Sequence, residues 1–210
     1  MKREIRGLYA ITPDEGDTAA LVSKVRQALR GGALTVQYRN KVADPSLKRE
    51  QAQALLLSCR AAGVPLIIND DLELALAVGA DGLHLGSEDG GLVSARARLG
   101  PHKLLGTSCY DRLGLALAAQ AAGADYVAFG SVFPSPTKSA AVHAPLKLFR
   151  EAGARIELPM VAIGGITPDN AGAVVDAGAA AVAVISALFD APDIEAAARR
   201  FCSLFQQKKS

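Results

Sequence analysis

The chain has 210 residues, half of them hydrophobic, with no Trp and only 5% aromatics, so it can bury a sizeable core, and that core must be aliphatic. A formal net charge of +2 is too small to argue for a nucleic-acid surface. The most apolar stretch, Ala177 to Phe189, is 13 residues and too short to span a bilayer, and Met1-Lys-Arg-Glu-Ile5 opens no apolar signal region, so a soluble, cytoplasmic protein is expected.

Two textures alternate along the chain. Short apolar or β-branched runs predict strands, and Ala- and Leu-rich stretches with helical spacing predict helices between them. In chain order these are strand Leu8–Ile11, helix Thr18–Arg30, strand Leu34–Gln37, helix Pro45–Ala62, strand Leu66–Ile68 and helix Leu72–Val78. There follow strand Gly82–Leu85, helix Leu92–Leu99, strand Leu104–Thr107, helix Leu113–Ala122, strand Tyr126–Phe129 and helix Leu146–Ala152. The last are strand Met160–Ile163, helix Asp169–Ala177, strand Ala181–Ile185 and a helix near Asp193–Gln206. The joints repeat: Gly79-Ala-Asp-Gly-Leu-His-Leu-Gly86 resembles Gly123-Ala-Asp-Tyr-Val-Ala-Phe-Gly130, and Gly178-Ala-Ala-Ala-Val-Ala-Val-Ile185 is a third copy in outline. In each, a glycine ends a helix, where the left-handed conformation costs it least, and a strand follows at once.

Helix, glycine stop, strand is the joint of a parallel α/β fold, and strands apolar on both faces fit a parallel sheet covered by helices. Eight strand–helix units favour a closed (β/α)8 TIM barrel with parallel strands, as a single domain over residues 1–210; an open doubly wound sheet is the alternative. Cys59, Cys109 and Cys202 lie far apart without a C-x-x-C, which argues against a disulfide framework and a zinc site. They are expected as small buried hydrophobes or helix residues.

In such a barrel the chemistry sits at the C-terminal ends of the strands. After the second strand comes Gln37-Tyr-Arg-Asn-Lys41, where Gln37, Arg39 and Lys41 are spaced two apart and so share one face of an extended chain. No acid lies within these five residues. One amide and two cations suit a bulky anion, although by themselves they read more readily as a solvated basic loop. Asp70 and Asp89 end adjacent strands and could bind a hard divalent cation such as Mg²⁺ through oxygen; Asp70 is as readily a helix N-cap, and Asp71 is the better cap of the two. Glu88 competes for the role of Asp89. Gly164-Gly165 with Ile185-Ser186 falls at the ends of strands seven and eight, the usual phosphate site of this barrel, with a helix N-terminus expected after Pro168. Phe133-Pro-Ser-Pro-Thr-Lys138 is a stiffened loop that adds a third cation. His84 reads as a packed core histidine, and His102 and His143 have no visible partners. The sum is a metal-bound diphosphate and a second, monophosphate site: transfer of a group from a diphosphate ester to a phosphorylated acceptor.

At this point the chain resembles the thiamine-phosphate synthase family over nearly its whole length. The motifs are Leu8-Tyr-Ala-Ile-Thr12, Gln37-Tyr-Arg-Asn-Lys41, Ile68-Asn-Asp70, Gly82-Leu-His-Leu-Gly86, Glu88-Asp89, Gly130-Ser-Val-Phe-Pro-Ser-Pro-Thr-Lys138, Ala162-Ile-Gly-Gly-Ile166 and Val184-Ile-Ser186. The resemblance implies a transferase that joins 4-amino-2-methyl-5-hydroxymethylpyrimidine diphosphate to a thiazole phosphate, with Mg²⁺ as cofactor. The pyrimidine diphosphate would meet Gln37, Tyr38, Arg39, Asn40, Lys41, Asn69, Ser108 and Lys138, of which Arg39, Lys41, Ser108 and Lys138 would be catalytic. Asp70 and Asp89 would hold the metal. Ser135, Pro136, Thr137, Gly165, Ile185 and Ser186 would hold the thiazole phosphate. The family's reaction is dissociative, through a pyrimidinyl carbocation, and needs no protein nucleophile. The partners implied are small phosphorylated molecules, with no nucleic acid and no membrane, and a homodimer as the assembly to consider. Ser131 and Ser135 stand where the family often has Pro and Thr, Ser87 where a Gln is usual, and Gly90-Gly91 where a bulkier residue and a proline are common. A related thiazole tautomerase would not need the diphosphate clamp, and a non-catalytic phosphate binder would have no use for the Asp70–Asp89 pair. Residues 130–142 are the loop expected to close over the site.

Overall fold

Eight parallel strands pair each with the next in sequence, and β1 closes the ring against β8. The structure, a computed structural model, describes residues 4–86, 91–134 and 143–206. The order is β1 (Gly7–Ile11), α1 (Thr18–Arg30), β2 (Thr35–Tyr38), α2 (Pro45–Ala61), β3 (Leu66–Asn69), α3 (Leu72–Val78), β4 (Gly82–Leu85), α4 (Leu92–Leu99), β5 (Leu104–Tyr110) and α5 (Leu113–Ala121). It continues β6 (Tyr126–Phe129), α6 (Leu146–Gly153), β7 (Met160–Ile163), α7 (Ala171–Asp176), β8 (Ala181–Val184), α8 (Ser186–Phe189) and α9 (Ile194–Gln206). The architecture is the closed α/β barrel that the eight strand–helix units favour, and the open doubly wound alternative falls away. No described helix is long and apolar enough to cross a membrane.

Local chemistry explains the element ends. Asp17, Asp44 and Asp71 cap α1, α2 and α3 by accepting first-turn N–H groups. The three repeated joints share one geometry. Gly79, Gly123 and Gly178 take positive φ, and the next residue donates back into the helix it leaves: Ala80 to the Ala75 carbonyl, Ala124 to Ala119, Ala179 to Val174. The following N–H then begins the new strand pairing, from Asp81 to Leu66, Asp125 to Leu105 and Ala180 to Met160.

Most element ends fall within one residue of the pattern read in the sequence, and three differences bear on the site. β5 runs on to Tyr110, with a register shift between Ser108 and Tyr110, so Ser108 lies inside the strand. α7 starts at Ala171 because Asn170 folds back, accepting from the Thr167 N–H and donating to the Gly165 carbonyl. The short α8 follows β8 directly, and Ile185 lies at its start and outside the strand.

Alternate strand residues face two cores. One core fills the space between strands and helices. The other fills the barrel lumen with Tyr9, Ile11, Ile67, Leu104, Tyr126, Val161 and their neighbours. Gly106 sits on the lumen side of β5, where a Cβ would come within 2.0 Å of the Tyr126 ring. Glycine there gives a whole aromatic ring its room. The period of two that fills the lumen also decides which strand-end side chains look into the mouth above it.

Candidate active site

β2 delivers Gln37 into the lumen and Arg39 to the rim. Gln37 is only 3% exposed, and its amide nitrogen donates to the Tyr9 hydroxyl at 2.9 Å. Thr12 accepts from the Arg39 backbone N–H at 2.9 Å and donates to the Arg39 carbonyl at 2.8 Å, which pins the chain as it leaves the strand. The basic stretch is not left without an acid. Asp14, in the loop after β1, pairs with the Arg39 guanidinium at 3.2 Å and accepts the Lys41 backbone N–H at 2.8 Å. Tyr38 and Asn40 have the opposite parity. Tyr38 donates to Gln51 on α2, and Asn40 donates to Gln51 and to the Glu15 carbonyl. Their side chains fasten the rim to α2.

β3 ends in Asn69-Asp70-Asp71. Asp71 accepts the Leu74 N–H at 2.8 Å and is the cap of α3, so the Asp70 carboxylate does not serve as that cap. Asp70 takes a left-handed φ of 60°, a conformation that is costly for a non-glycine residue and that gathers at functional sites. Its backbone N–H donates to the His84 carbonyl, and its carboxylate accepts from the Asn69 amide at 2.5 Å and the Gly86 N–H at 3.3 Å. A cleft of about 550 Å³ opens here, lined by Arg39, Lys41, Lys48, Asn69, Asp70 and Arg98 among others. Arg98 is engaged with Glu73 on the cleft wall. Ser87, Glu88, Asp89 and Gly90 lie outside the described residues. Among the described residues no three His, Cys, Asp or Glu side chains cluster as a metal site, so a metal at Asp70 would need further oxygens from elsewhere.

On the far side of the lumen, His84 of β4 meets Tyr126 of β6 at 3.1 Å through Nδ1 and Ser108 of β5 at 3.0 Å through Nε2. Tyr126 in turn meets Tyr9 at 2.8 Å. His84 is a packed interior histidine, and burial pushes its pKa down to about 4, so it is neutral at pH 7. Burial likewise holds both tyrosine hydroxyls well above their ordinary range.

Gly164 and Gly165 follow β7 with φ of 100° and 63°. A Cβ on Gly165 would lie 2.5 Å from the Pro134 carbonyl oxygen and 2.6 Å from that of Phe133. The chain leaving β6 lies against this turn: Val132 donates to the Ile163 carbonyl, Phe133 to Gly164, and the Ser131 hydroxyl closes onto the Phe133 carbonyl. Two glycines are therefore required by backbone packing, whatever else they do. Ile185 and Ser186 stand at the end of β8, where the Ile185 carbonyl accepts the Leu188 and Phe189 N–H groups. Ser135, Pro136, Thr137 and Lys138, with most of the 130–142 loop, lie outside the described residues.

The structure thus brings Gln37, Arg39, Lys41, Asn69 and Asp70 to adjoining strand ends, links Ser108 to Gln37 through the lumen, and sets Gly165, Ile185 and Ser186 on the ends of β7 and β8. Sequence reasoning passed over Asp14, Tyr9 and Tyr126. Asp14 could have been found by extending the strand-end reading to β1, since Thr12-Pro13-Asp14 follows Ile11 directly. Tyr9 and Tyr126 carry the lumen parity of their strands.

A closed parallel barrel with its polar side chains gathered at the C-terminal mouth defines a (β/α)8-barrel enzyme. A family model described as "Thiamine monophosphate synthase" matches residues 8–188. A curated thiamine-phosphate synthase of Aromatoleum aromaticum is 55% identical over 96% of this chain and 97% of its own, and one of Methylobacillus flagellatus is 56% identical over 96% of each. The solved thiamine phosphate pyrophosphorylase of Pyrococcus furiosus superposes with a TM-score of 0.85 at 36% identity over 96% of both chains. A 3-hexulose-6-phosphate synthase at 18% identity and a TM-score of 0.71 shares the fold alone. The chain belongs to the thiamine-phosphate synthase family, transferases of thiamine biosynthesis.

Proposed function

We propose that this chain is a cytoplasmic enzyme that joins 4-amino-2-methyl-5-hydroxymethylpyrimidine diphosphate to a thiazole phosphate, giving thiamine phosphate and pyrophosphate, with Mg²⁺ as cofactor. The observation that carries the reading is the convergence of Arg39, Lys41, Asn69 and Asp70 from adjoining strand ends on one cleft, with the buried Gln37 amide beside them on the lumen face of β2. The cleft offers cations for a diphosphate beside an amide for a heterocycle. Asp70, freed of capping by Asp71, offers hard oxygen donors that suit Mg²⁺, which commonly takes one or two carboxylates and completes its shell with phosphate oxygens. Asp70 and Asp89 would hold the ion, which supplies positive charge to the departing diphosphate.

In the reaction the bond from the pyrimidine's exocyclic methylene carbon to the diphosphate oxygen breaks, and its electron pair goes to that oxygen. The lone pair of the thiazole nitrogen then bonds to the cationic carbon. Arg39, Lys41 and Lys138 balance the charge gathering on the leaving group, Gln37, Asn69 and Ser108 hold the pyrimidine diphosphate, and Ser135, Pro136, Thr137, Gly165, Ile185 and Ser186 hold the thiazole phosphate. Positioning and charge stabilisation do the catalysis. The state of the thiols supports a route without a protein nucleophile. Burial pushes Cys59 and Cys109 up to about 12 and Cys202 up to about 11, so none is a thiolate at neutral pH.

The test is pyrophosphate release measured with the two substrates offered singly and together, in Mg²⁺ and in EDTA. Release is expected only with both substrates and Mg²⁺. Release from the diphosphate alone at the full rate would refute the condensation, and undiminished turnover in EDTA would refute the metal's role.

A further inference from the structure

Four hydrogen bonds run without a break across the lumen: Gln37 to Tyr9 at 2.9 Å, Tyr9 to Tyr126 at 2.8 Å, Tyr126 to His84 at 3.1 Å, and His84 to Ser108 at 3.0 Å. The chain begins on β2 and ends on β5, and passes through β1, β6 and β4. Its three middle members are buried, and they carry hydroxyl and imidazole groups that an apolar lumen would not need. Both of its ends are residues placed above at the pyrimidine diphosphate. We propose that Tyr9, Tyr126 and His84 are positioning residues that lock the donor–acceptor polarity Gln37 and Ser108 present to the substrate, and so select an aminopyrimidine over its oxo counterpart. The substrate half of this proposal rests on the reading given under Proposed function.

The polarity follows from counting protons. The amide nitrogen of Gln37 can only donate. Tyr9 therefore accepts from Gln37, and its own single proton goes to Tyr126. The Tyr126 proton then goes to Nδ1 of His84, which must be bare. In the neutral imidazole the remaining proton is on Nε2, and it is donated to Ser108. The protons of Tyr9, Tyr126 and His84 are then all matched, as buried polar groups require. The Ser108 hydroxyl proton is left over for a ligand. The Gln37 Oε1 accepts no hydrogen bond among the described residues, and it is not an enclosed atom.

That locking matters because an amide alone does not discriminate. A 4-aminopyrimidine presents a donor beside a ring acceptor, and the 4-oxo form presents the reverse. A free glutamine amide can serve either by turning over. Turned over here, Gln37 would face the Tyr9 oxygen with its own oxygen, and every bond as far as Ser108 would have to reverse. The amide can turn only if all four hydrogen bonds and the His84 tautomer change with it, and that coupling is what ties the reading of the ring by Gln37 to the whole chain.

Two measurements test this. In the free protein, the ¹⁵N shifts of His84 are expected to show a protonated Nε2 and a bare Nδ1 at neutral pH. The opposite tautomer would overturn the proposal. For turnover, kcat/KM is compared for the aminopyrimidine diphosphate and its 4-oxo analogue in the parent chain, Tyr9→Phe and Tyr126→Phe. The amino-over-oxo preference is expected to fall by roughly tenfold in Tyr9→Phe, the scale of one bidentate amide–base pair, with the KM for the thiazole phosphate unchanged. A parent-like preference in both variants would overturn it, as would a loss spread evenly over both substrates. If the parent chain uses neither diphosphate, the proposed reaction fails, and the tautomer measurement still decides the polarity of the chain.

Discussion

The two ends of the barrel use the same residue types to opposite ends. At the N-terminal end, every charge in the repeated joints is matched. Asp81 accepts the Leu66 N–H at 2.9 Å, Asp125 accepts that of Leu105 at 2.8 Å, and Arg96 reaches Asp125 at 2.5 Å while donating to the Gly100, Lys103 and Gly123 carbonyls. Lys103 donates to the Ala80 carbonyl. At the C-terminal mouth the charges stand at more exposed positions. Arg39 pairs with Asp14 at the surface, and Asp70 sits exposed in a left-handed conformation. Charges consumed by backbone groups stabilise the joint. Charges propped in place and left partly open are those a ligand can complete.

If that contrast is right, mutations at the two ends should fail in different assays. The largest effect is expected from Arg39→Ala. Removing a preorganised cation aimed at developing charge should lower kcat/KM for the diphosphate substrate by about 100-fold or more. An exposed ion pair to Asp14 adds little stability, so the unfolding midpoint should move by less than about 1 kcal/mol equivalent. An equal loss in the use of both substrates would sink the assignment of Arg39 to the diphosphate.

Asp125→Ala should do the reverse. It strands the Leu105 N–H and a largely buried Arg96 guanidinium together, at a cost of about 2–3 kcal/mol in urea unfolding. Turnover per folded molecule at 25 °C should stay within about twofold, because the joint lies at the opposite end of the strands from the mouth. A large loss of kcat without a loss of stability would break the division between the ends.

Between the ends, His84 makes the lumen pH-sensitive. Its folded pKa of about 4 lies below its ordinary 6.5. Above pH 6.5 neither folded nor unfolded His84 carries the proton, and its contribution to stability is complete. As pH falls from 6.5 towards 4 the unfolded chain takes up a proton that the folded chain refuses, so stability falls by up to about 1.4 kcal/mol per pH unit. Glu15 and Glu73 are held below 4.5, so their windows lie lower. A His84→Gln variant should flatten the profile between pH 4.5 and 6.5, and an unchanged slope would show that His84 is not its source.

How much of this was legible depended on range along the chain. The strands, the glycine stops at Gly79, Gly123 and Gly178, and Asp71 as a cap are local events, set by period and by φ, and the sequence carries them openly. That Gln37 and Arg39 share one face could be read because period two needs only neighbours. The same period turns Tyr38 and Asn40 towards Gln51, a pairing no five-residue window reveals. Asp14 neutralises Arg39 from 25 residues away, across a strand pair, so the apparent absence of an acid was true of the segment and false of the fold. In the sequence Ser108 reads as following the fifth strand, which ends there at Thr107, yet the ladder to β6 continues past it. Glycine pairs invite a phosphate reading, and for Gly165 the packing of the Phe133 and Pro134 carbonyls is reason enough for glycine.

The smallest expected effect concerns Thr35, at the start of β2 on the lumen side. Its hydroxyl oxygen is enclosed and finds no hydrogen-bond partner among the described residues. Unlike Gln37, two residues further along the same face, it joins no network. Valine has nearly the same shape and suits a strand at least as well. Thr35→Val should therefore stabilise the chain by about 1 kcal/mol, the cost of an unmatched buried polar group, and leave turnover unchanged. Destabilisation of similar size would mean that the hydroxyl has a partner within the lumen, and the polar chain from Gln37 to Ser108 would then have a branch reaching towards the N-terminal end.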